Sequence, residues 1–379
     1  MSLPQPQKTK KAQDAPIHRP PFYALYLAIF LFSFHSALPL YINSSFLSTF
    51  FSGKLIGFMY AVSSLATLFL LTQLPRILKR FGNWCVVLFF IFIEIFALIS
   101  LVYFKEGFII LSAFIASQIL VNLIYFNFDI FFESFSADKT TGAVRGVMLT
   151  VINTAILFGP ITTGLILSDG DYFKVYFVSL LLIIPVFLIL LARLKNFKDT
   201  KYERIAYVKT LRQVFFANHP KDEIRHAVLA NLLMRFFFSL MVVYMPIYLH
   251  ANLGFSWGDI GIIFTIMLLP FVFFEAPIGR FLDAKSNEAA IMKRGFLITA
   301  FFTGLLVFVE SSSLPLWALL LFGTRVGMSF VEVASESYFF KHISSADTNI
   351  LSIFRNAQPI AYLVGPASAS LLLFFISLK

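Results

Sequence analysis

Eleven stretches of about twenty residues in this chain pass with almost no charge. They lie near 22–42, 55–74, 84–104, 107–128, 145–168, 172–193, 228–250, 257–277, 292–310, 314–335 and 350–377. A helix needs about 20 mostly apolar residues to cross the hydrocarbon core of a bilayer. No water is available there to satisfy backbone groups, so a spanning segment must be a helix or part of a closed barrel. The runs are of helix length, and the expected fold class is an all-α membrane protein. Composition agrees: 59% of residues are hydrophobic and only 13% charged, with a mean hydropathy of +0.83, against about half and a quarter for a soluble domain. A single cysteine, Cys85, excludes an intrachain disulfide and a cysteine-based metal site. No metalloprotease helix, phosphate loop or nucleophile elbow is found, so neither an enzyme nor a bound cofactor is expected.

Residues 1–21 form a polar segment with Pro4, Pro6, Pro16 and Pro20 beside Lys8, Lys10, Lys11 and Arg19, read as a disordered basic tail. The first apolar run is too long for a signal-peptide core. The break at 194–227 is polar. Within it Tyr207, Val208, Leu211, Val214 and Phe215 recur at helical spacing opposite Lys209 and Arg212. That pattern fits an amphipathic helix on the membrane surface or a solvated linker. With the N-terminus inside, the cytoplasmic segments hold 24 of the 30 Lys and Arg and the outer segments only 4. Cytoplasmic loops carry such an excess, so the tail and the linker are expected in the cytoplasm, with Ser52–Lys54 and Lys379 outside, in a plasma membrane. The net charge of +10 is then a signal of orientation, not of a nucleic-acid partner.

The chain repeats itself. Gly57 precedes Pro75 by 18 residues, and Gly261 precedes Gly279 by the same 18. "LIGFMYA" (55–61) lies over "DIGIIFT" (259–265), "LPLY" (38–41) over "MPIY" (245–248), and "FGP" (158–160) over "VGP" (364–366). Asn122 lies over Arg325, Asp129 over Glu332 and Glu133 over Glu336. Collinear matches of this kind mark a duplicated unit. Two pseudo-symmetric halves, 22–193 and 228–379, joined by the linker 194–227, resemble the major facilitator superfamily of transporters across roughly residues 22–377. Gly279, Arg280 and Asp283 match a Gly, the following basic residue and an Asp of the superfamily loop between the second and third helices of each half. In the first half Arg80 and Gly82 match, while Pro75 and Lys79 replace the Gly and Asp. The resemblance implies that this loop latches the cytoplasmic side, with Asp283 near the start of the fifth span around Arg145. A carboxylate there would be favoured by the helix dipole. The plain alternative is a tight polar turn. Superfamily members usually have twelve spans. The last polar boundary, near Asp347, leaves too few residues for two, so the second half is expected to hold five and to lack the twelfth.

Ionisable groups inside a span cost about 2.5–3.5 kcal/mol each on insertion scales. His35, Glu94, Arg235 and Arg325 are such groups. In the superfamily the first, fourth, seventh and tenth helices line a central cavity, which makes His35, Gln118, Asn122, Arg235 and Arg325 the implied substrate-cavity residues. Arg325 could instead pair with Glu332 two turns on. Glu94, on the usually peripheral third span, is expected to be protonated or paired with a neighbouring helix. Asp129, Glu133, Glu332 and Glu336 sit at the inner ends of the fourth and tenth spans, placed either for gate pairing with Arg145, Arg235 or Arg355 or for simple solvation. Gly159-Pro160 and Gly365-Pro366 would let the fifth and eleventh spans bend or pack closely. The implied function is secondary transport of a small solute by alternating access, with protons as a coupling ion. Two arginines with no acid at the same depth would favour an anionic organic solute; acids at the rim would instead leave the site neutral. The alternative class is a transport-dead relative serving as a membrane receptor or assembly partner. The expected partners are the solute and the bilayer, and the expected state is a monomer.

Overall fold

The computed structural model describes residues 22–135, 141–197, 222–285, 287–342, 354, 356–373 and 375. The first half runs α1 (Phe22–Leu40), the short α2 (Asn43–Ser48), α3 (Gly53–Phe81), α4 (Asn83–Tyr103), α5 (Gly107–Phe135), α6 (Thr141–Ile166) and α7 (Tyr172–Arg193). The second runs α8 (Asp222–Ile247), a π-helical turn at Tyr248–Asn252, α9 (Trp257–Phe273), α10 (Glu275–Lys285), α11 (Glu288–Leu306), α12 (Leu314–His342) and α13 (Ala357–Leu372). Among the described residues, ten helices are long and apolar enough to cross a membrane, and α13 lies within the eleventh run. The protein is a multi-pass integral membrane protein. The tail 1–21, the amphipathic stretch 207–215 and Arg355 fall outside the described residues.

The two polar islands are helical, where the sequence suggested a loop or a tight turn. Pro75–Phe81 forms the last turns of α3, and Gly279–Lys285 lies in α10. The reason is length. At 1.5 Å per residue the 29 residues of α3 reach about 44 Å, well past a hydrocarbon core of about 30 Å, so charged turns emerge while still hydrogen-bonded. The reversal after α3 is made by Gly82 alone, at φ 77°, a region open to glycine at no steric cost. In the second half Phe274 separates α9 from α10. Pro277 explains the break: it has no N–H to offer the Phe273 carbonyl one turn back.

The halves meet along two matching seams. Gly57 of α3 lies so close to α13 that an added Cβ would stand 2.2 Å from the Pro366 carbonyl oxygen, and Gly261 of α9 would place one 2.7 Å from the Pro160 carbonyl oxygen of α6. Gly57 and Gly261 are repeat partners, as are Pro366 and Pro160. The sequence duplication therefore appears in space as a pseudo-twofold relation between the halves. Both seams close the end of the bundle that carries Lys54.

Candidate functional site: a polar cavity between the halves

Two adjoining cavities open between the halves and share lining from Leu40, Ile156, Val242, Gln358 and Tyr362. The first, about 1110 Å³ including its mouth, holds His35, Gln118 and Asn122. The second, about 910 Å³, holds Arg235 and Arg325. All five residues implied for the cavity therefore line this space. Helices outside the implied set also contribute polar groups. From α3 come Tyr60, Ser63, Ser64 and Thr67, and from α13 come Gln358 and Tyr362. The α3 residues fall at i, i+3, i+4 and i+7, one face of a helix, a polar stripe that was readable in the sequence.

In the second cavity Arg325 is 2% exposed. Its guanidinium lies 4.4 Å from the centroid of the Phe238 ring and 5.5 Å from that of Phe237, within cation–π range, and Tyr41 lines the same cavity. Its Nε and Nη1 have no hydrogen-bond partner within the protein. Glu332 does not serve it as the one-helix pair the sequence allowed: it accepts from Arg235 Nη2 at 2.8 Å across the α8–α12 contact. Seven helical residues separate Arg325 from Glu332 by about 10 Å along the axis, whereas Arg235 faces the acid directly. Glu275, at the break before α10, lines the same cavity. The expectation of two uncompensated arginines is thus corrected: Glu275 and Glu332 line the cavity that holds them, and Glu332 pairs with Arg235.

The first cavity has a different chemistry. Pro39 cannot donate to the His35 carbonyl, and Ser179 Oγ of α7 donates to that oxygen instead, at 2.9 Å. The same Oγ lies 2.6 Å from His35 Nδ1. His35 Nε2 faces Glu94 Oε1 at 3.5 Å, with the two side chains 1% and 0% exposed. Ser117 donates to that oxygen at 2.6 Å. Glu94 is therefore turned inward against a neighbouring helix rather than outward to lipid, and the pair is one that helical periodicity could not reveal.

The remaining positions are scattered. Arg80 is exposed, stacked over Phe81 at 5.1 Å, and Arg280 is exposed. At Gly279 the nearest neighbour of an added Cβ is Val333 at 3.9 Å, within its own half. Asp129 and Glu336 are half-buried. The side chains of Glu133, Arg145 and Asp283 lie outside the described part. Among the described residues no group of three or more His, Cys, Asp or Glu is placed to hold a metal ion.

The architecture recurs in solved structures. The nucleoside transporter NupG superposes with a TM-score of 0.72 at 13% identity, covering 93% of this chain and 90% of that one. A bacterial homologue of the iron transporter ferroportin, in its inward-facing state, gives 0.71 at 13%, covering 92% and 91%. A peptide transporter in complex with alafosfalin gives 0.71 at 11%, covering 94% and 88%. At such identities the likeness speaks for the fold alone. No curated protein sequence matches the chain. The family model described as Major Facilitator Superfamily matches residues 128–366, from the end of the fourth span across the linker to the Gly-Pro of the eleventh, and the chain belongs to that superfamily of transporters.

Proposed function

We propose that the protein is a secondary active transporter that carries a small organic solute bearing a carboxylate or phosphate, by alternating access around the cavity between its halves. One observation carries the solute class: Arg325 is buried in the cavity wall with Nε and Nη1 unpaired. Buried polar groups are nearly always hydrogen-bonded, and a buried guanidinium with unpaired N–H groups makes strong, charge-assisted hydrogen bonds to the oxygens of a carboxylate or phosphate. Arg235 is spoken for by Glu332, so the recognition falls to Arg325. Glu275 on the same wall suits a hydroxyl or amine elsewhere on the solute. The Lys and Arg bias supports a cytoplasmic N-terminus and linker in a plasma membrane. On that orientation both glycine seams lie on the outer side, and the structure is a conformation closed to the outside.

The test is uptake of a labelled panel of small carboxylates and phosphate esters into proteoliposomes. Arg325→Ala is expected to abolish the uptake of whichever compound is carried, and Arg325→Lys to retain part of it. Normal uptake by both variants would make Arg325 structural and remove the anionic solute. Labelling of a cysteine placed at Ser52 only from the cytoplasmic face would overturn the orientation.

A further inference from the structure

We propose that His35 and Glu94 hold one exchangeable proton between them, and that this buried site, separate from the arginine cavity, takes up the coupling ion of the transporter inferred above. The hydrogen bonds around the ring set the argument. His35 Nδ1 lies 3.2 Å from the Ser179 carbonyl oxygen, which can only accept, so Nδ1 carries a hydrogen. Ser179 has one hydroxyl hydrogen, and it goes to the His35 carbonyl. Its Oγ, 2.6 Å from Nδ1, must therefore accept from the ring as well. With Nδ1–H fixed from two directions, Nε2 has two states: a bare lone pair, or an N–H.

A bare Nε2 opposite an ionised Glu94 would set a lone pair against a carboxylate that is fully buried. One oxygen of that carboxylate has only Ser117 as a donor, and the other, Oε2, has no partner. An ionised carboxyl so placed is very costly. One added proton removes the conflict in either position. On Nε2 it makes an imidazolium–carboxylate pair; on Glu94 it makes a carboxyl that donates to Nε2. Both arrangements are neutral overall. The 3.5 Å separation is slightly longer than a hydrogen bond, so a small helix shift makes or breaks the shared bond. Against the pair stand Ser179 from α7 and Ser117 from α5. Among the described residues lining the cavity beside them, the titratable groups other than His35 are Tyr60 from α3, Tyr125 from α5, Tyr176 from α7 and Tyr362 from α13, with no lysine, arginine or aspartate. His35 itself lines the cavity, which gives the proton its way in and out.

The site is mechanically tied to the solute. His35 is on α1, and Tyr41, just beyond the end of that helix, lines the same cavity as Arg325 of the other half. A solute bound at Arg325 therefore bears on the end of the helix that carries the imidazole, and protonation at His35 acts in reverse. Coupling of this kind is reciprocal by thermodynamic necessity.

Infrared spectroscopy of the purified protein in lipid nanodiscs, scanned over pH, tests the site without any solute. The expected result is one titrating carboxyl band that is absent in Glu94→Gln and displaced in His35→Gln. If Glu94→Gln does not fold, Ser117→Ala, which keeps the acid and removes the hydroxyl donating to it, should displace the same band. A pH-difference spectrum unchanged by these substitutions overturns the proposal. In proteoliposomes, an imposed proton gradient should drive accumulation of the labelled carboxylate or phosphate ester in the wild type. In Glu94→Gln accumulation should be lost while exchange at equal pH persists. Equal accumulation in both proteins refutes the coupling. If no compound of the panel is carried at all, the solute reading fails, and the infrared result alone decides the proton site.

Discussion

The halves share a backbone and differ in what they bury. In the first, His35 and Glu94 face each other fully enclosed, tied by Ser179 and Ser117. In the second, Arg235 and Glu332 form a partly exposed ion pair, with Arg325 and Glu275 on the same cavity wall. The repeat makes the divergence explicit. Arg325 lies over Asn122, and three residues ahead of the matched "LPLY" and "MPIY" stand His35 and Val242. The seams show the opposite behaviour, with Gly57 against Pro366 and Gly261 against Pro160. A duplicated bundle thus keeps close backbone approaches, which tolerate no added atom, while polar groups inside the cavity are free to specialise.

The largest effect is expected where the halves are alike. Gly57→Leu and Gly261→Leu each insert a side chain into a seam that lacks room even for a Cβ. Overpacking costs about 1–3 kcal/mol, enough to shift the population strongly toward a state with the Lys54 end open. Spin-label distances across that end should lengthen in both variants, and a change in only one would break the equivalence of the seams. Next comes the contrast at Arg325. Hydrogen bonds to a charged group contribute about 1.5–3 kcal/mol, so Arg325→Ala should weaken solute binding by roughly 10- to 100-fold. Asn122→Ala, its counterpart, should change binding far less in a thermal-shift titration; equal losses would mean that both halves hold the solute. Smaller again is Glu332→Gln. The Arg235–Glu332 side chains are 27% and 19% exposed, so screening limits the loss to about 1 kcal/mol, seen as a lower melting temperature that depends on salt. Least of all is Asp169→Asn. The Lys174 ammonium beside Asp169 holds its carboxyl below the usual range. Such a contribution is present at neutral pH and lost as pH falls through the lowered value. The pair is exposed, so the melting temperatures of variant and wild type should differ only slightly at neutral pH and converge in acid.

The spans and the duplication were legible because each is a one-dimensional pattern: apolar length, and matches that keep their order. What escaped is the pairing between helices. Glu94 faces inward because α4 packs on α5 and α7, and nothing in its own run of "IFIEIF" reports that. Arg235 meets Glu332 for the same reason, while the sequence drew attention to the same-helix option at Arg325. The polar stripe of α3 was present as a period and needed only to be read as cavity wall. The islands misled because charge marks where a chain leaves the hydrocarbon, and a helix can continue beyond that point.

The one-residue reversal at Gly82 has a consequence for stiffness. With no loop between them, α3 and α4 cannot slide or tilt independently, and Asn83, the first residue of α4, donates to the Asn127 carbonyl of α5 at 3.1 Å. Three spans of the first half are thereby welded at one corner. The second half has an interruption of its own, at Phe274 between α9 and α10, about a dozen residues before the position that answers to Gly82 in the repeat. If the bundle rocks, the first half turns as a single block, and the bending is absorbed at Phe274, one residue from Glu275 in the cavity wall.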